Sequence, residues 1–337
     1  MDDARSHASA ARQKIHQGVD PIDQRKAAVA KVRAEQVKSV RFGWCAEQYI
    51  ESHRAGWRNA KHAEQWSKTL KDYAGPVIGG LRVDQIDTAH IMKILQPMWN
   101  EKPETASRLR GRIENVLDWA KVHQYRSGEN PARCKGHLDK LLPARSKVKK
   151  EQHHAAQPWQ DMSSLMTKLR QQEGMGARAV EFVVYTAARS GEVRGARWAE
   201  IDFKNVAWRV PADRMKAGKE HRVPLSAAAI LVLSEARKLT PDCEFIFPGP
   251  SGKPLSDMTL TKVLRRMEYA EVTVHGFRSS FRDWAAEATE YPSDLVEMAL
   301  AHTISSKVEA AYRRGDMIEK RLALMEDWAK HCNTAKT

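Results

Sequence analysis

Six side chains in the second half of the sequence are of the types needed to attack a phosphodiester. They are two arginines, a lysine, two histidines and a tyrosine, namely Arg189, Lys216, His275, Arg278, His302 and Tyr312. Cations can hold a phosphate and stabilise the charge of the transition state, while a phenol acts as the nucleophile. If these side chains converge in space, the chain is a DNA strand-transfer enzyme.

Arg189 and Glu192 are three residues apart, so one helical turn would place them on the same face. A surface ion pair is the ordinary outcome of such spacing. However, the stretch AVEFVVYTAA before Arg189 is nearly uncharged, which predicts that a buried helix delivers the guanidinium into a cleft. There its fork matches two phosphate oxygens.

His275 and Arg278 also fall one helical turn apart, in HGFRSSFRDWAAE. One turn could therefore present two phosphate ligands while Phe277, Phe281 and Trp284 face the core. An H-x-x-R spacing is common by chance, and a structural histidine is the default without its companions.

Lys216 lies in a predicted turn between two alternating segments, 207–213 and 220–226, which indicate a β-hairpin. Most hairpin lysines only keep the turn soluble. A lysine on a flexible loop beside Gly218 could also protonate the leaving 5′ oxygen, which arginine does poorly because its pKa is too high. Lys219 is the alternative candidate for this role.

His302 and Tyr312 would lie ~15 Å apart along one straight helix, too far to share a phosphate. A helix break is therefore expected at 303–306, with a serine capping the helix of the tyrosine. A buried phenol with one hydrogen bond is the ordinary alternative for Tyr312. The adjacent Arg313 and Arg314 favour an exposed, electropositive site instead.

The composition favours a nucleic-acid partner. The 337 residues carry a net charge of +14, with 42% hydrophobic residues and ten Trp, enough for two or three compact domains with a surface that attracts a polyanion. A merely soluble basic protein is the alternative. The four cysteines are far apart with no C-x-x-C pair, so they read as reduced thiols, and neither a metal nor another cofactor is expected.

Targeting signals are not recognisable. No apolar run approaches the ~20 residues of a membrane span, and the first residues lack a secretory pattern. A cytoplasmic, nucleoid-associated location is expected.

Changes in periodicity divide the chain into four parts. We expect an N-terminal helix and basic segment over 1–39, a helical DNA-binding domain over 40–142, an exposed linker over 143–157 and a mostly helical domain with a small antiparallel sheet over 158–337. The overall class is mainly α. Helices of the last domain are predicted at 160–172, 227–238, 256–270, 276–288, 293–301 and 305–329.

The predicted helical domain over 40–142 contains a series of amphipathic helices. Gly75-Pro76 predicts a break, Thr88 is a candidate cap for a helix over 89–95, and Thr105 starts another helix. Five residues of this last helix are expected to face inward: Leu109, Ile113, Val116, Leu117 and Ala120.

The outer face of the helix that starts at Thr105 carries a cluster of arginines. Together with lysines nearby, this face is predicted to contact the DNA backbone, although a solvated helix face is the ordinary alternative. The candidate residues are Arg108, Arg110 and Arg112, with Lys61, Lys68, Lys71 and Lys121 adding to the charge.

Four motifs in order resemble the tyrosine recombinases, most closely the phage and genomic-island integrases of the satellite-phage type. They are ARSGE, MKAGKEHRVPLS, HGFRSSFRDWAAE and LAHTISSKVEAAYRRGD. WRNAKHAEQW, TASRLRGRIENVLDWA and ENPA are similar to the helical core-binding domain of that group. Each motif is weak alone, but four in order form a strong signal.

The resemblance implies a role for each residue. Tyr312 would be the nucleophile, Arg189 and Arg278 would clamp the phosphate, and Lys216 would be the general acid. The two histidines, His275 and His302, would assist by hydrogen bonding or proton transfer, and Glu192 would support the arginines.

The implied reaction is a metal-free transesterification that forms a 3′-phosphotyrosyl bond on double-stranded attachment-site DNA. A homotetramer on DNA is implied too, with DNA-bending accessory proteins as further partners. The helix after Tyr312, within 317–332, could dock on a neighbouring protomer or pack on its own domain.

One departure from the family pattern concerns the N-terminus. QGVDPIDQRKA, residues 17–27, resembles the junction after an arm-binding domain, so 1–39 is expected to be a remnant of that domain. A truncated product, a mis-assigned start and a naturally short form are all compatible with it. Two other functions stay open: a relic that only binds DNA, and a type IB topoisomerase.

Overall fold

The structure is a computed structural model that describes residues 20, 22, 26, 40–57, 60–144, 148, 155–302 and 315–334. The predicted helix over 2–17, most of the basic segment over 25–38, the predicted break at 303–306 and Tyr312 lie outside these residues. The chain divides into two compact units, 1–151 and 152–337, and the division falls within the predicted linker.

The first unit is helical. Its elements are α1 (Phe42–Arg54), α2 (Ala60–Thr69), which continues as a π-helix (Leu70–Gly79), α3 (Thr88–Trp99), α4 (Pro103–Val122) and a 3₁₀ turn (Leu138–Lys140). Helix α4 begins with proline, whose missing N–H costs nothing in a first turn. All five residues predicted to face inward from α4 are fully buried, which confirms its amphipathic face.

Two local predictions in this unit are wrong. The chain does not break at Gly75-Pro76: the wider π-helix passes through both residues and keeps Leu70 and Ile78 in the core. The cap of α3 is Asp87, whose carboxylate accepts the His90 N–H at 3.0 Å. Thr88 is the first helical residue instead.

The second unit is mostly helical with a small sheet, as predicted. Its helices are α5 (Met162–Arg170), α6 (Met175–Thr186), α7 (Ser190–Arg194), α8 (Ala227–Leu239), α9 (Thr259–Arg266), α10 (Gly276–Ala288), α11 (Ser293–Ala299) and α12 (Ile318–Asn333). The strands β1 (Ile201–Asp202), β2 (Ala207–Val210) and β3 (His221–Pro224) form an antiparallel sheet in the order β1-β2-β3. Val210 pairs with His221, which confirms the predicted hairpin.

Helix α6 lies at the centre of this unit. It packs against α5, α8 and α9, and every residue from Ala179 to Thr186 is buried. The C-terminal helix α12 packs on its own unit, since Trp328 is fully buried and its indole N–H donates to the Val184 carbonyl at 2.8 Å.

The end of the predicted exposed linker is in fact part of the second unit. The Ala155 carbonyl accepts hydrogen bonds from the Thr273 backbone and hydroxyl at 3.0 and 3.1 Å, and the Ser280 hydroxyl donates to Gln157. The crossing depends on Gly276, because a Cβ there would lie 2.3 Å from the Ala155 oxygen.

Candidate active site

Arg189 lies where the buried helix α6 ends and α7 begins. Ala187 adopts a left-handed conformation with φ of 48°, which turns the chain out of α6. Arg189 follows as the extended N-cap residue of α7. The predicted delivery of this guanidinium from a buried helix is therefore present.

Glu192 holds Arg189 at both ends of the residue. Its two carboxylate oxygens accept from Nη1 and from the backbone N–H of Arg189, both at 2.9 Å. The carboxylate is almost fully buried, while about a fifth of the Arg189 side chain is exposed. Nη2 points to the Ala301 carbonyl at the longer distance of 3.4 Å.

Arg278 lies in the first turn of α10 and is buried. Its Nη1 donates to the Ala187 carbonyl at 2.5 Å, and its Nη2 donates to the Leu300 carbonyl at 2.6 Å and lies 3.0 Å from His302 Nε2. Burial, and then the charge of the neighbouring Arg189, lower the pKa of Arg278 to about 10, although Glu192 and Glu297 oppose this. The guanidinium remains charged at neutral pH.

The two guanidinium groups therefore share one wall of carbonyl oxygens. Ala187 ends α6, while Leu300 and Ala301 follow α11, so all three oxygens come from helix C-terminal turns. Such carbonyls lack partners within their helices and carry partial negative charge. The wall orients two cations side by side, an arrangement that suits one phosphate with two negative oxygens.

His302 follows this turn and joins the same network. Helix α11 ends at Ala299, and Ala301 has a φ of 49°. Helix α11 therefore ends two residues before the predicted end at 301, and His302 lies beyond it, as predicted. The imidazole Nδ1 lies 2.5 Å from Glu297 Oε2, and Glu297 Oε1 accepts from Arg282 Nε at 2.7 Å.

His275 and Lys216 occupy exposed positions. His275 is the residue before α10, one turn from Arg278. Lys216 lies in the connection between β2 and β3, after a 3₁₀ turn at Ala212–Arg214 and before Gly218, whose φ of 66° allows the loop to reverse. The shared contacts bring together Arg189, Arg278 and His302.

His221 is a neighbour of this network that the sequence analysis missed. Burial, and then the charges of Arg321, Arg189 and Arg278, lower its pKa to about 4, although a hydrogen bond to the Ala299 carbonyl opposes this. Its Nε2 is buried and has no hydrogen-bond partner among the described residues. The ring is therefore neutral at pH 7.

A signal for His221 was available. Alternate residues of a strand face the same side, and the predicted segment 220–226 places His221 on the face of the apolar Val223 and Leu225. A histidine on that face of the hairpin should therefore point inward.

The predicted DNA-contacting residues of the first unit separate into two groups. Lys61, Lys68 and Arg108 are exposed, and Arg108 forms an i,i+4 pair with Glu104 at 2.8 Å. Arg110 is largely covered and donates to the Ala132 carbonyl at 2.9 Å.

Arg112 does not lie on the outer face, so its predicted exposure is wrong. Only 8% of it is exposed. Its Nη1 donates to the Gln65 carbonyl at 2.8 Å and to the Thr69 hydroxyl, and the guanidinium lies 5.4 Å from the centre of the Trp66 ring. Arg112 thus ties α4 to α2.

No helix among the described residues is long and apolar enough to cross a membrane. Within the same part of the chain, no group of three or more His, Cys, Asp or Glu side chains is arranged to hold a metal ion.

Two family models match the chain. The phage integrase central domain matches residues 42–137, and the phage integrase family matches residues 159–318. The integrase of Enterobacteria phage P4 is 29% identical over 349 residues, covering 97% of this chain and 76% of its own length. Prophage integrase IntZ of Escherichia coli K12 is 29% identical over 334 residues, covering 98% and 80% respectively.

Solved structures share the fold. A lambda integrase tetramer bound to a Holliday junction has a TM-score of 0.65 at 16% identity, over 82% of each chain. The Tn1549 transposon integrase in complex with circular intermediate DNA has a TM-score of 0.62 at 13% identity, over 85% of this chain and 99% of that one. The chain therefore belongs to the phage integrase family of tyrosine recombinases and is a DNA-binding, site-specific recombinase.

Proposed function

We propose that this recombinase cuts and rejoins double-stranded attachment-site DNA through a covalent bond between Tyr312 and a 3′ phosphate. The observation that carries the proposal is the placement of Arg189 and Arg278 on one wall of helix C-terminal carbonyls, with His302 Nε2 3.0 Å from Arg278 Nη2. Two oriented cations beside a histidine can bind a phosphate and stabilise the charge that develops on it during attack.

The cations would exchange partners when DNA binds. Nη2 of Arg189 makes only a 3.4 Å contact with the Ala301 carbonyl, so a charged phosphate oxygen would replace this contact at little cost. Glu192 would hold the same guanidinium in place from its other side. Arg278 is bonded more tightly and would supply a rigid edge to the phosphate site.

The chemical step is then a balanced exchange of ester bonds. The Tyr312 oxygen forms a bond to phosphorus, and the bond from phosphorus to the 5′ oxygen breaks. The phenol proton passes to a histidine, for which His302 is our candidate, while Lys216 protonates the 5′ oxygen as it leaves. His275 would donate a hydrogen bond to the phosphate. The reverse reaction on a second strand needs no external energy source, because the phosphate remains esterified throughout.

DNA recognition by the first unit would use its exposed cations. Lys61, Lys68 and Arg108 can pair with backbone phosphates, which contributes affinity but little sequence information. Arg110 would have to release its partners before it could do so, and Arg112 would act by holding α4 in place. By analogy with the lambda integrase tetramer, four copies would assemble on two duplexes.

Recombination between two marked attachment sites tests this function. The wild-type protein should exchange the flanking markers in the presence of EDTA, and Arg278→Ala should lose this activity while it still binds the site. Relaxation of a supercoiled plasmid without exchange would favour a type IB topoisomerase. Binding without either reaction would favour a relic, and loss of exchange in EDTA would contradict the metal-free mechanism.

A further inference from the structure

We infer that Glu297 is a positioning residue that sets the tautomer of His302 and so prepares its Nε2 for proton transfer. This inference rests on the proposed function, because it assigns a state to one of the residues in that site. Glu297 lies in α11 and belongs to none of the motifs to which the sequence analysis gave a role.

The geometry is a continuous chain of four charged or ionisable groups. Arg282 Nε donates to Glu297 Oε1 at 2.7 Å, and Glu297 Oε2 lies 2.5 Å from His302 Nδ1. His302 Nε2 lies 3.0 Å from Arg278 Nη2. The carboxylate therefore connects a surface arginine to the buried arginine of the site through the imidazole.

The chemistry of the partners determines where the imidazole carries its proton. A guanidinium only donates hydrogen bonds, so the neutral ring must accept at Nε2 from Arg278. An ionised carboxylate only accepts, so Nδ1–H must donate to Glu297. The two partners thus select the same tautomer. Partial burial alone would raise the pKa of Glu297, but the hydrogen bonds and charges of His302 and Arg282 together keep that pKa below its usual value.

This tautomer is the one that the proposed reaction needs. A lone pair at Nε2, on the side of Arg278, can accept the proton of the attacking phenol once a phosphate engages the guanidinium. The resulting imidazolium keeps its Nδ1–H bond to Glu297, whose negative charge stabilises it. The proton returns to the phenol oxygen when the strand is rejoined.

A simple surface ion pair does not account for this arrangement. The Arg282 side chain is 60% exposed, and pairs of that kind contribute little to stability. Glu297 uses one oxygen for that pair and the other for His302. The second contact, whose side chains are 42% and 32% exposed, differs from the first because its imidazole also lies 3.0 Å from the buried Arg278.

The test combines a spectroscopic readout with a kinetic one. In the free wild-type protein, ¹⁵N NMR of His302 should show the proton on Nδ1. In Glu297→Ala only Arg278 still favours that tautomer, so the share of the ring protonated on Nε2 should rise above that of the wild type. In single-turnover reactions with a nicked substrate, Glu297→Ala should cleave on the order of ten- to a hundredfold more slowly at unchanged DNA affinity, because a positioned general base contributes about a hundredfold or more and the variant loses part of this.

Two further variants make the result specific. Glu297→Gln keeps an acceptor without the charge and should preserve part of the rate. Glu290→Ala removes an exposed acid from the same cleft beside α10 and should match the wild type in both readouts.

Wild-type tautomer and rate in Glu297→Ala would overturn the inference while leaving the proposed function intact. A mixed tautomer in the wild type would overturn it too. A wild-type protein that never cleaves would instead contradict the proposed function, and the NMR result would still decide the role of Glu297.

Discussion

Replacing Gly276 by alanine should loosen the second unit at the start of α10. The added Cβ would lie 2.3 Å from the Ala155 oxygen and 2.8 Å from the Ala156 Cα. Both atoms belong to the backbone, so no side-chain rotation can relieve the overlap. The segment that crosses α10 must move away or the helix must shift.

The magnitude follows from the contacts that are lost. Displacement of the segment breaks two hydrogen bonds from Thr273 to Ala155 and one from Ser280 to Gln157, each worth about 1 kcal/mol. Residual overpacking adds about 1 kcal/mol, while alanine regains about 1 kcal/mol of helix propensity. The net loss is about 3 kcal/mol.

Hydrogen exchange of the Thr273 amide measures this loss directly, because that N–H donates to the Ala155 carbonyl. It should exchange about a hundredfold faster in the variant, and strand cleavage should slow because α10 carries Arg278. Gly111→Ala is the matched control: it lies inside α4 with nothing within 4 Å of the added Cβ, and it should stabilise the first unit by about 0.5–1 kcal/mol. Wild-type exchange at Thr273 in the Gly276 variant would refute the reasoning.

Four further substitutions have predicted outcomes. Arg112→Gln should destabilise the first unit by about 2 kcal/mol in urea unfolding. Arg108→Gln should leave the stability unchanged, but it should reduce the slope of log K for DNA binding against log salt concentration by about one. His221→Gln should flatten the pH dependence of stability. The folded pKa of His221, about 4, is below its unfolded value, so the unfolded state binds the proton first and wild-type stability falls by about 2 kcal/mol from pH 7 to pH 5. Asp87→Ala should cost about 1 kcal/mol in thermal unfolding through loss of the α3 cap, and an unchanged midpoint would contradict that assignment.

Periodicity predicted the elements whose packing depends on their own sequence. Helix α10 spans the predicted residues, and α4 buries the predicted apolar stripe, because apolar residues at helical spacing must face a core. The hairpin around Lys216 follows likewise from two alternating segments with glycine between them.

Features that depend on partners from other elements were not predictable in this way. Arg112 belongs to the polar set of α4, but α2 supplies a carbonyl, a hydroxyl and an aromatic ring that bury it. Glu297 resembles any acid on a short amphipathic helix until α11 ends beside α10 and places it against His302. The π-helix that runs through Gly75-Pro76 keeps Leu70 and Ile78 in the core. Their burial outweighs the tendency of glycine and proline to interrupt a helix.

The central claim is that Tyr312 becomes covalently bound to a 3′ phosphate held by Arg189 and Arg278. The most direct measurement traps the protein on a nicked attachment-site substrate without added metal and locates the modified residue by mass spectrometry of the digested adduct. We predict one DNA-linked peptide modified at Tyr312, and no adduct with Tyr312→Phe. An adduct at another residue, or one that persists in Tyr312→Phe, would contradict the account.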